Sequence, residues 1–268
     1  MKTLLLWLVY LGCVVAFASS GPGPGLPVQT IPDAPDVDDI MGVREDFTYE
    51  VRYGFFNLGT ITINIISDTT YSGQPVRYLF YKILSNRSIP FVGYKERHYH
   101  AYMAHNDTTF YELKFWTDSI HDEIYDETIY DYDYPGESVY TFEEGEAVDT
   151  LELTEPGGSG PAFFYFARLH AGSGREVDYP IYISHEKGKV ELQNYDRIES
   201  YSSAAFPGDD VEAVRTRGYA DLDGPFGFRG RIDAIFMADE LRIPLEARVR
   251  VWIGNVVVRL VDYERTEG

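Results

Sequence analysis

Regular alternation of apolar and polar side chains, clearest between residues 230 and 263, predicts that this chain is built mainly from β-strands. Within this stretch, one face carries aliphatic residues and the other carries charged ones: Leu245, Ala247, Val249, Val251 and Ile253 against Glu246, Arg248 and Arg250. A period of two is typical of a strand that buries one face. The polar residues 239–242 predict a turn before this strand, and Gly254-Asn255 predicts a hairpin turn after it.

Similar alternating segments recur along the chain and predict further strands. They cover residues 47–53, 61–65, 76–84, 95–104, 109–116, 124–132, 138–142, 149–153, 177–184, 189–201, 211–221 and 228–238. Near residues 57–59, either a hairpin turns or one long strand bends at a bulge. Because many strands are separated by short turn segments, we predict a mainly β fold, either a large antiparallel sheet or a partly open barrel.

One segment departs from this alternation. Residues 162–172 follow Pro161, contain a run of aromatic residues, and end at Gly172. Proline at the start and glycine at the end are typical helix boundaries. We therefore predict one short, mostly buried helix over about residues 162–171.

The first 18 residues have the features of an export signal. Lys2 supplies the positive start, an apolar run follows, and residues 16–18 form a small-x-small cleavage site. Lipidation at Cys13 is the alternative, because residues 11–13 resemble the end of a lipoprotein signal. We therefore predict a signal peptide (1–18), a flexible tether rich in Pro, Gly and Asp (19–43), and a single β-rich domain (44–265). This organisation predicts an exported protein, without a transmembrane segment in the mature chain.

Charge and cysteine content narrow the possible partners. The formal net charge of −20 argues against nucleic acid and anionic membrane surfaces, since phosphates would be repelled. The simplest explanation of this negative charge is that it keeps the protein soluble. A cationic partner or divalent ions are the alternatives. Cys13 is the only cysteine, so a chain cleaved after residue 18 would have no disulfide, thiolate metal site or cysteine nucleophile.

Three segments resemble a bacterial family of exported proteins, the domain-of-unknown-function family 3108. They are residues 47–61, the helix-like run Phe164–Arg168, and residues 236–244, where Phe236 replaces the family's Trp and Asp239-Glu240 replaces its Asp-Asp. The resemblance covers about residues 45–263. It implies a strongly curved antiparallel sheet and a periplasmic or lipoprotein-type domain. It implies no catalytic residue.

Metal-binding patterns in the sequence are incomplete. His98 and His100 share one face of a predicted strand, and a carboxylate could complete a metal site with them, but no third ligand is fixed. The acidic stretch 118–146 contains Asp131-Tyr132-Asp133, but Pro135 and Phe142 stand at ligand positions of the helix-loop-helix calcium template. We therefore predict no metal and no cofactor.

Charged residues inside the apolar, family-like segments are the candidate binding residues. Arg168, Asp239 and Arg242 could frame the mouth of a pocket and orient a polar ligand group, and Tyr165 belongs to the same set. The alternative is a structural ion pair with turn and helix caps. We predict no catalytic residue, because the run 157–161 departs from the nucleophile-elbow pattern at Pro161.

These observations favour a non-enzymatic envelope protein whose concave, aromatic-lined face holds a hydrophobic or amphipathic ligand, or contacts a protein partner. A single sheet with few helices cannot cover both of its faces. The second hypothesis is a purely structural or adaptor domain, in which the sheet closes around the predicted helix. The third is a hydrolase of envelope carbohydrate, which requires two facing carboxyl groups in a cleft, at least one with a raised pKa.

Overall fold

A computed structural model describes residues 31–89, 95–121, 124–222, 229–251 and 254–267. Strands dominate this part of the chain, as the alternation predicts. The elements are α1 (Val37–Met41), β1 (Val43–Tyr53), β2 (Phe56–Tyr71), β3 (Gln74–Ser85), β4 (Glu96–His105), β5 (Phe110–His121), β6 (Ile124–Asp133), β7 (Ser138–Glu143), β8 (Glu146–Glu152), α2 (Pro161–His170), β9 (Glu176–Ile183), β10 (Glu186–Asn194), β11 (Glu199–Tyr201), β12 (Val211–Ala220), β13 (Gly230–Met237), β14 (Pro244–Val251) and β15 (Gly254–Glu267).

The strands form one antiparallel sheet that is nearly closed like a barrel. Its order is β8-β7-β6-β5-β4-β3-β2-β1-β15-β14-β13-β12-β10-β9, and β11 pairs only with β12. Strands that follow one another in sequence are mostly neighbours, and the first and last strands, β1 and β15, pair with each other. This confirms the predicted curved sheet or partly open barrel. Neither helix in the described part of the chain is long and apolar enough to cross a bilayer.

Near residues 57–59 the structure has the predicted bulge, but the hairpin turn lies three residues earlier than predicted and the chain is not one long strand. β1 and β2 form a hairpin whose turn lies at Gly54 and Phe55, and the register then shifts opposite Val51 and Arg52. A Cβ atom on Gly59 would lie 2.2 Å from the carbonyl oxygen of Leu84 on β3. Glycine is therefore required at this bulge because the neighbouring strand approaches too closely for any side chain.

The two turns predicted around β14 have different outcomes. The turn at residues 239–242 is confirmed, since β13 ends at Met237 and β14 begins at Pro244. The hairpin predicted after β14 is confirmed, because β14 pairs with β15 antiparallel, but its turn was placed too late in the sequence: Gly254 and Asn255 already belong to β15 and pair with Val251 and Arg250. The Val251–Gly254 pair is the last one of the β14–β15 ladder.

The predicted tether is wrong for its last part, where α1 packs on the domain. Asp36 and Asp39 form a capping box at the start of this helix, and Val37 and Ile40 are buried. The Arg77 guanidinium holds its end, donating to the carbonyl oxygens of Met41 (2.8 Å) and Val43 (3.0 Å). Composition predicted flexibility here, but two apolar residues three positions apart suffice to bury one face of a helical turn.

The predicted helix at 162–171 is confirmed as α2, which lies against the concave face of the sheet. It begins at Pro161, the position where the missing proline N–H costs no hydrogen bond, and seven of its ten residues are buried. Inward-facing side chains of the strands and the buried face of α2 form one continuous core. α2 packs mainly on β4, β5 and β9, and so leaves other strands of the concave face less covered.

Candidate functional site

Aromatic side chains of α2 attach the helix to the concave face. The Phe164 ring packs edge-on against Phe47 of β1, with ring centroids 5.2 Å apart. Tyr165 packs against Phe110 of β5 at 5.9 Å. Edge-to-face aromatic pairs contribute about 0.5–1.5 kcal/mol each beyond the area they bury. These contacts fix one side of α2 in the interior.

The predicted binding residue Arg168 lies at the centre of a buried ion pair. Its guanidinium is fully buried and donates to both carboxylate oxygens of Glu45 at 2.7 and 3.0 Å. Its Nε donates to the carbonyl oxygen of Leu241 at 2.9 Å, and the Tyr263 hydroxyl donates to Glu45 at 2.7 Å. Bidentate pairs of this kind are among the strongest in proteins. Arg168 therefore joins α2 to β1, β15 and the β13–β14 turn.

The predicted binding residues Arg242 and Asp239 also lie in this region. Arg242 is fully buried, and its guanidinium donates to the carbonyl oxygens of Ala171 (3.0 Å), Asp239 and Pro32. The Asp239 carboxylate accepts from the backbone N–H of Ile243 at 3.4 Å, and burial raises its pKa. These contacts tie the β13–β14 turn to the end of α2 and to the N-terminal segment. Contacts of this kind are what the alternative hypothesis, a structural role for these charged residues, expects.

Tyr165 completes the predicted set and differs from the two arginines. Its side chain is fully buried, with the Arg168 guanidinium carbon 5.6 Å from the ring centroid. Its hydroxyl has no hydrogen-bond partner among the residues that the structure describes. Buried hydroxyl groups are usually paired. Tyr165 thus supplies a polar atom of the interior that the protein itself does not satisfy.

A second buried carboxyl group, which the sequence did not reveal, holds the start of α2. Glu112 of β5 accepts from the backbone N–H groups of Ser159 (2.7 Å), Ala162 (3.0 Å) and Gly160 (3.3 Å). Burial raises the pKa of Glu112 to about 7, although the three N–H groups act in the opposite direction. The Ser159 hydroxyl is buried and bonded to Tyr132 and to the carbonyl oxygen of Tyr182, so it is part of this attachment.

The concave face is less covered along one row of aliphatic side chains, which we call the aliphatic strip. Its members share the inward-facing side of their strands and are half-buried: Ile83, Ile61, Val51, Val258, Ala247 and Ala234. Cross-strand pairing connects most of them directly, through the pairs Ile83–Ile61, Val51–Val258, Val258–Ala247 and Ala247–Ala234. The strip therefore runs across six neighbouring strands, from β3 to β13.

The position of the aliphatic strip explains why it is less buried than the core. The strip lies on β3, β2, β1, β15, β14 and β13, whereas α2 packs mainly on β4, β5 and β9. Phe164 is half-buried and contacts Phe47, Tyr49 and Tyr81, each on a strand that carries the strip. A concave apolar surface beside an aromatic helix is the usual lining of a site for apolar ligands.

In the described part of the chain, the two carboxyl groups with a raised pKa do not form the facing pair of the hydrolase hypothesis. Among the described residues, burial raises the pKa of two carboxyl groups, Glu112 and Asp239. Each accepts backbone N–H groups, and they lie near opposite ends of the ten-residue α2. Such a helix is roughly 15 Å long, well beyond the roughly 5–9.5 Å that separates the carboxyl pair of a glycosidase.

Comparison with known proteins shows a similarity to solved structures and to no known family. No protein-family profile and no curated protein matches the sequence. The chain is similar to the crystal structure of a β-barrel-like protein of the domain of unknown function DUF1849 from Brucella abortus, with a TM-score of 0.53 and 11% identity, covering 85% of this chain and 99% of that chain. At this identity the likeness shows the fold alone. It agrees with a β-barrel-like fold, whereas membership of family 3108 is not confirmed.

Proposed function

We propose that this protein is an exported, non-enzymatic domain of the cell envelope that binds a hydrophobic or amphipathic ligand on the aliphatic strip. The observation that carries this proposal is the contrast along the concave face. α2 and its aromatic side chains bury one part of that face, while the aliphatic side chains of the strip remain half-buried. Apolar side chains that the packed helix leaves incompletely covered are a candidate lining for an apolar ligand.

The chemistry of the strip favours a flexible aliphatic chain as the bound group. Its members are all Ile, Val or Ala, so the strip offers no hydrogen bond and no charge through its side chains. Each methylene group transferred from water to such a surface contributes about 0.8 kcal/mol.

Export is proposed on the basis of the sequence. The predicted signal at residues 1–18 and the alternative lipidation at Cys13 lie outside the described residues, which begin at Ile31. Either form of processing would place the domain in an envelope, where lipids and lipid-like molecules are the abundant apolar ligands. An apolar ligand and a location in the cell envelope are thus consistent with each other.

A protein partner remains the second candidate, favoured by one exposed feature. Phe55, at the β1–β2 turn, is 80% exposed and packs only 4.1 Å, centroid to centroid, from the Phe56 ring. An exposed aromatic pair at a hairpin tip is suited to contact another protein surface. This contact would use the outside of the molecule and does not compete with a ligand on the concave face.

Two neighbouring valines of β15 provide a matched test of the strip. Val258 faces inward and Val257 outward, and both are half-buried. We expect Val258→Asn to weaken binding of the apolar fluorophore N-phenyl-1-naphthylamine about tenfold or more, because an unpaired amide in an apolar site costs about 1–3 kcal/mol. Val257→Asn should bind within about twofold of the wild type. A wild type that shows no saturable binding, or equal loss in both variants, would contradict the proposal.

A further inference from the structure

The outer face of β4 and β5 brings together three side chains with metal-binding atoms. His98 and His100 lie two residues apart on β4, and Asp118 lies directly opposite His98 in the β4–β5 register. One ligand atom from each of the three lies within 4.8 Å of the other two. His100 Nε2 and Asp118 Oδ2 are 3.2 Å apart. The sequence indicated the histidine pair, but the third ligand comes from a neighbouring strand that only the register identifies.

Both imidazole rings are oriented by hydrogen bonds on one nitrogen. His98 Nε2 is 2.9 Å from Glu96 Oε1, and His100 Nδ1 is 2.8 Å from the Tyr78 hydroxyl. Each ring therefore keeps its other nitrogen for a different partner. Histidines that bind metals almost always donate their other ring N–H to a carboxylate, a backbone carbonyl or a water, and Glu96 is such a partner for His98.

Aromatic rings pack against the two histidines of the cluster. The His100 ring stacks on Trp116 with centroids 4.8 Å apart and an angle of 3° between the planes. Phe80 packs against both histidine rings, at 5.3 and 5.1 Å. The Asp118 Oδ1 atom is buried and has no hydrogen-bond partner in the described part of the chain. A buried carboxylate oxygen without a partner is costly, and a bound cation would satisfy it.

We propose that His98, His100 and Asp118 bind a zinc-type divalent cation on the outside of the sheet. Two imidazole nitrogens and one carboxylate oxygen are a common zinc ligand set, with a fourth position left for water or for a ligand atom of a partner. Ligand atoms of a tetrahedral zinc site lie roughly 3.3 Å apart at the usual bond lengths, a separation that the His100–Asp118 pair already has. Glu96 and Tyr78 act as positioning residues.

Zinc titration of the purified mature protein tests this site. We expect one Zn²⁺ per chain, measured by competition with a chromophoric chelator, with affinity reduced at least about 100-fold in Asp118→Asn and in His98→Gln. Glu96→Gln should reduce the affinity about tenfold, because outer-shell partners typically contribute 10–100-fold. His105→Gln, an exposed histidine at the end of the same strand, is the matched control and should bind like the wild type.

A second readout separates this site from general attraction of cations to an acidic surface. Co²⁺ bound in a tetrahedral site with nitrogen ligands gives an intense visible absorption, which loosely held Co²⁺ does not. We expect this absorption in the wild type and in His105→Gln, and not in Asp118→Asn. The proposal is overturned if the wild type binds no Zn²⁺ at micromolar concentration, or if the Asp118 and His98 variants, folded by circular dichroism, bind it unchanged.

Discussion

Replacing Arg168 with methionine should lower the free energy of unfolding by about 3–5 kcal/mol, because the change leaves the Glu45 carboxylate buried without its partner. Glu45 is 1% exposed and Arg168 is fully buried, so water cannot replace the lost hydrogen bonds. For a domain of this size, each kcal/mol corresponds to about 2–4 °C in the melting temperature. Thermal unfolding followed by circular dichroism should therefore show a decrease of about 6–20 °C.

Two further variants show whether the charge itself is responsible. The double change Glu45→Leu with Arg168→Met removes both charges and should recover a large part of the lost stability, since buried pairs are often replaceable by apolar residues. Arg52→Met, which breaks a partly exposed pair with Glu50, should cost no more than about 1 kcal/mol. If Arg168→Met is as mild as Arg52→Met, the buried pair does not hold α2 in place.

The Glu112 carboxyl group should make stability depend on pH between about 4.5 and about 7. Burial raises its pKa in the folded protein to about 7, from an ordinary value of 4.5. Between these two values the folded protein keeps a proton that the unfolded chain releases, so stability decreases as the pH rises through the window. The shift corresponds to about 3 kcal/mol at 1.36 kcal/mol per pKa unit. Above about pH 7 the stability that the protonated Glu112 contributes is no longer present.

Glu112→Gln isolates this effect from the many other acidic groups of the chain. Urea unfolding of the wild type and the variant at several pH values between 4.5 and 8 gives the difference in stability between them. We expect this difference to change by about 3 kcal/mol in favour of the variant as the pH rises. A difference that is constant, or that changes in favour of the wild type, would mean that the N–H groups of Ser159, Gly160 and Ala162 outweigh burial and keep the carboxylate charged.

Local sequence patterns predicted the fold because each strand buries only one face. The alternation in residues 245–251 and the proline and glycine at the ends of the aromatic run were sufficient to predict β14 and α2. The prediction failed at α1, because the Pro and Asp residues of this segment suggested a flexible tether although Val37 and Ile40 are buried. The β14–β15 hairpin was predicted, but its turn was placed too late because Gly254 and Asn255, which are typical turn residues, form the first pairs of β15.

The candidate sites depend on register, which a single strand does not reveal. Ile61 and Val258 are 197 positions apart in sequence, and they share the aliphatic strip only because β2 and β15 both pair with β1. Asp118 joins the two histidines through the β4–β5 register. Arg168 and Arg242 were identified correctly as unusual charges, but their partners Glu45 and Ala171 were not predictable from their own segments.

Native mass spectrometry of the mature protein, purified gently from the envelope of cells that produce it, tests ligand binding most directly. We expect a polypeptide beginning at Ser19, together with a reproducible additional mass that organic solvent removes and that is absent from Val258→Asn. The extracted molecule would identify the ligand class, and the polypeptide mass would distinguish cleavage from lipidation at Cys13. A bare polypeptide mass, reproduced under conditions that preserve a known lipid complex, would contradict binding on the aliphatic strip.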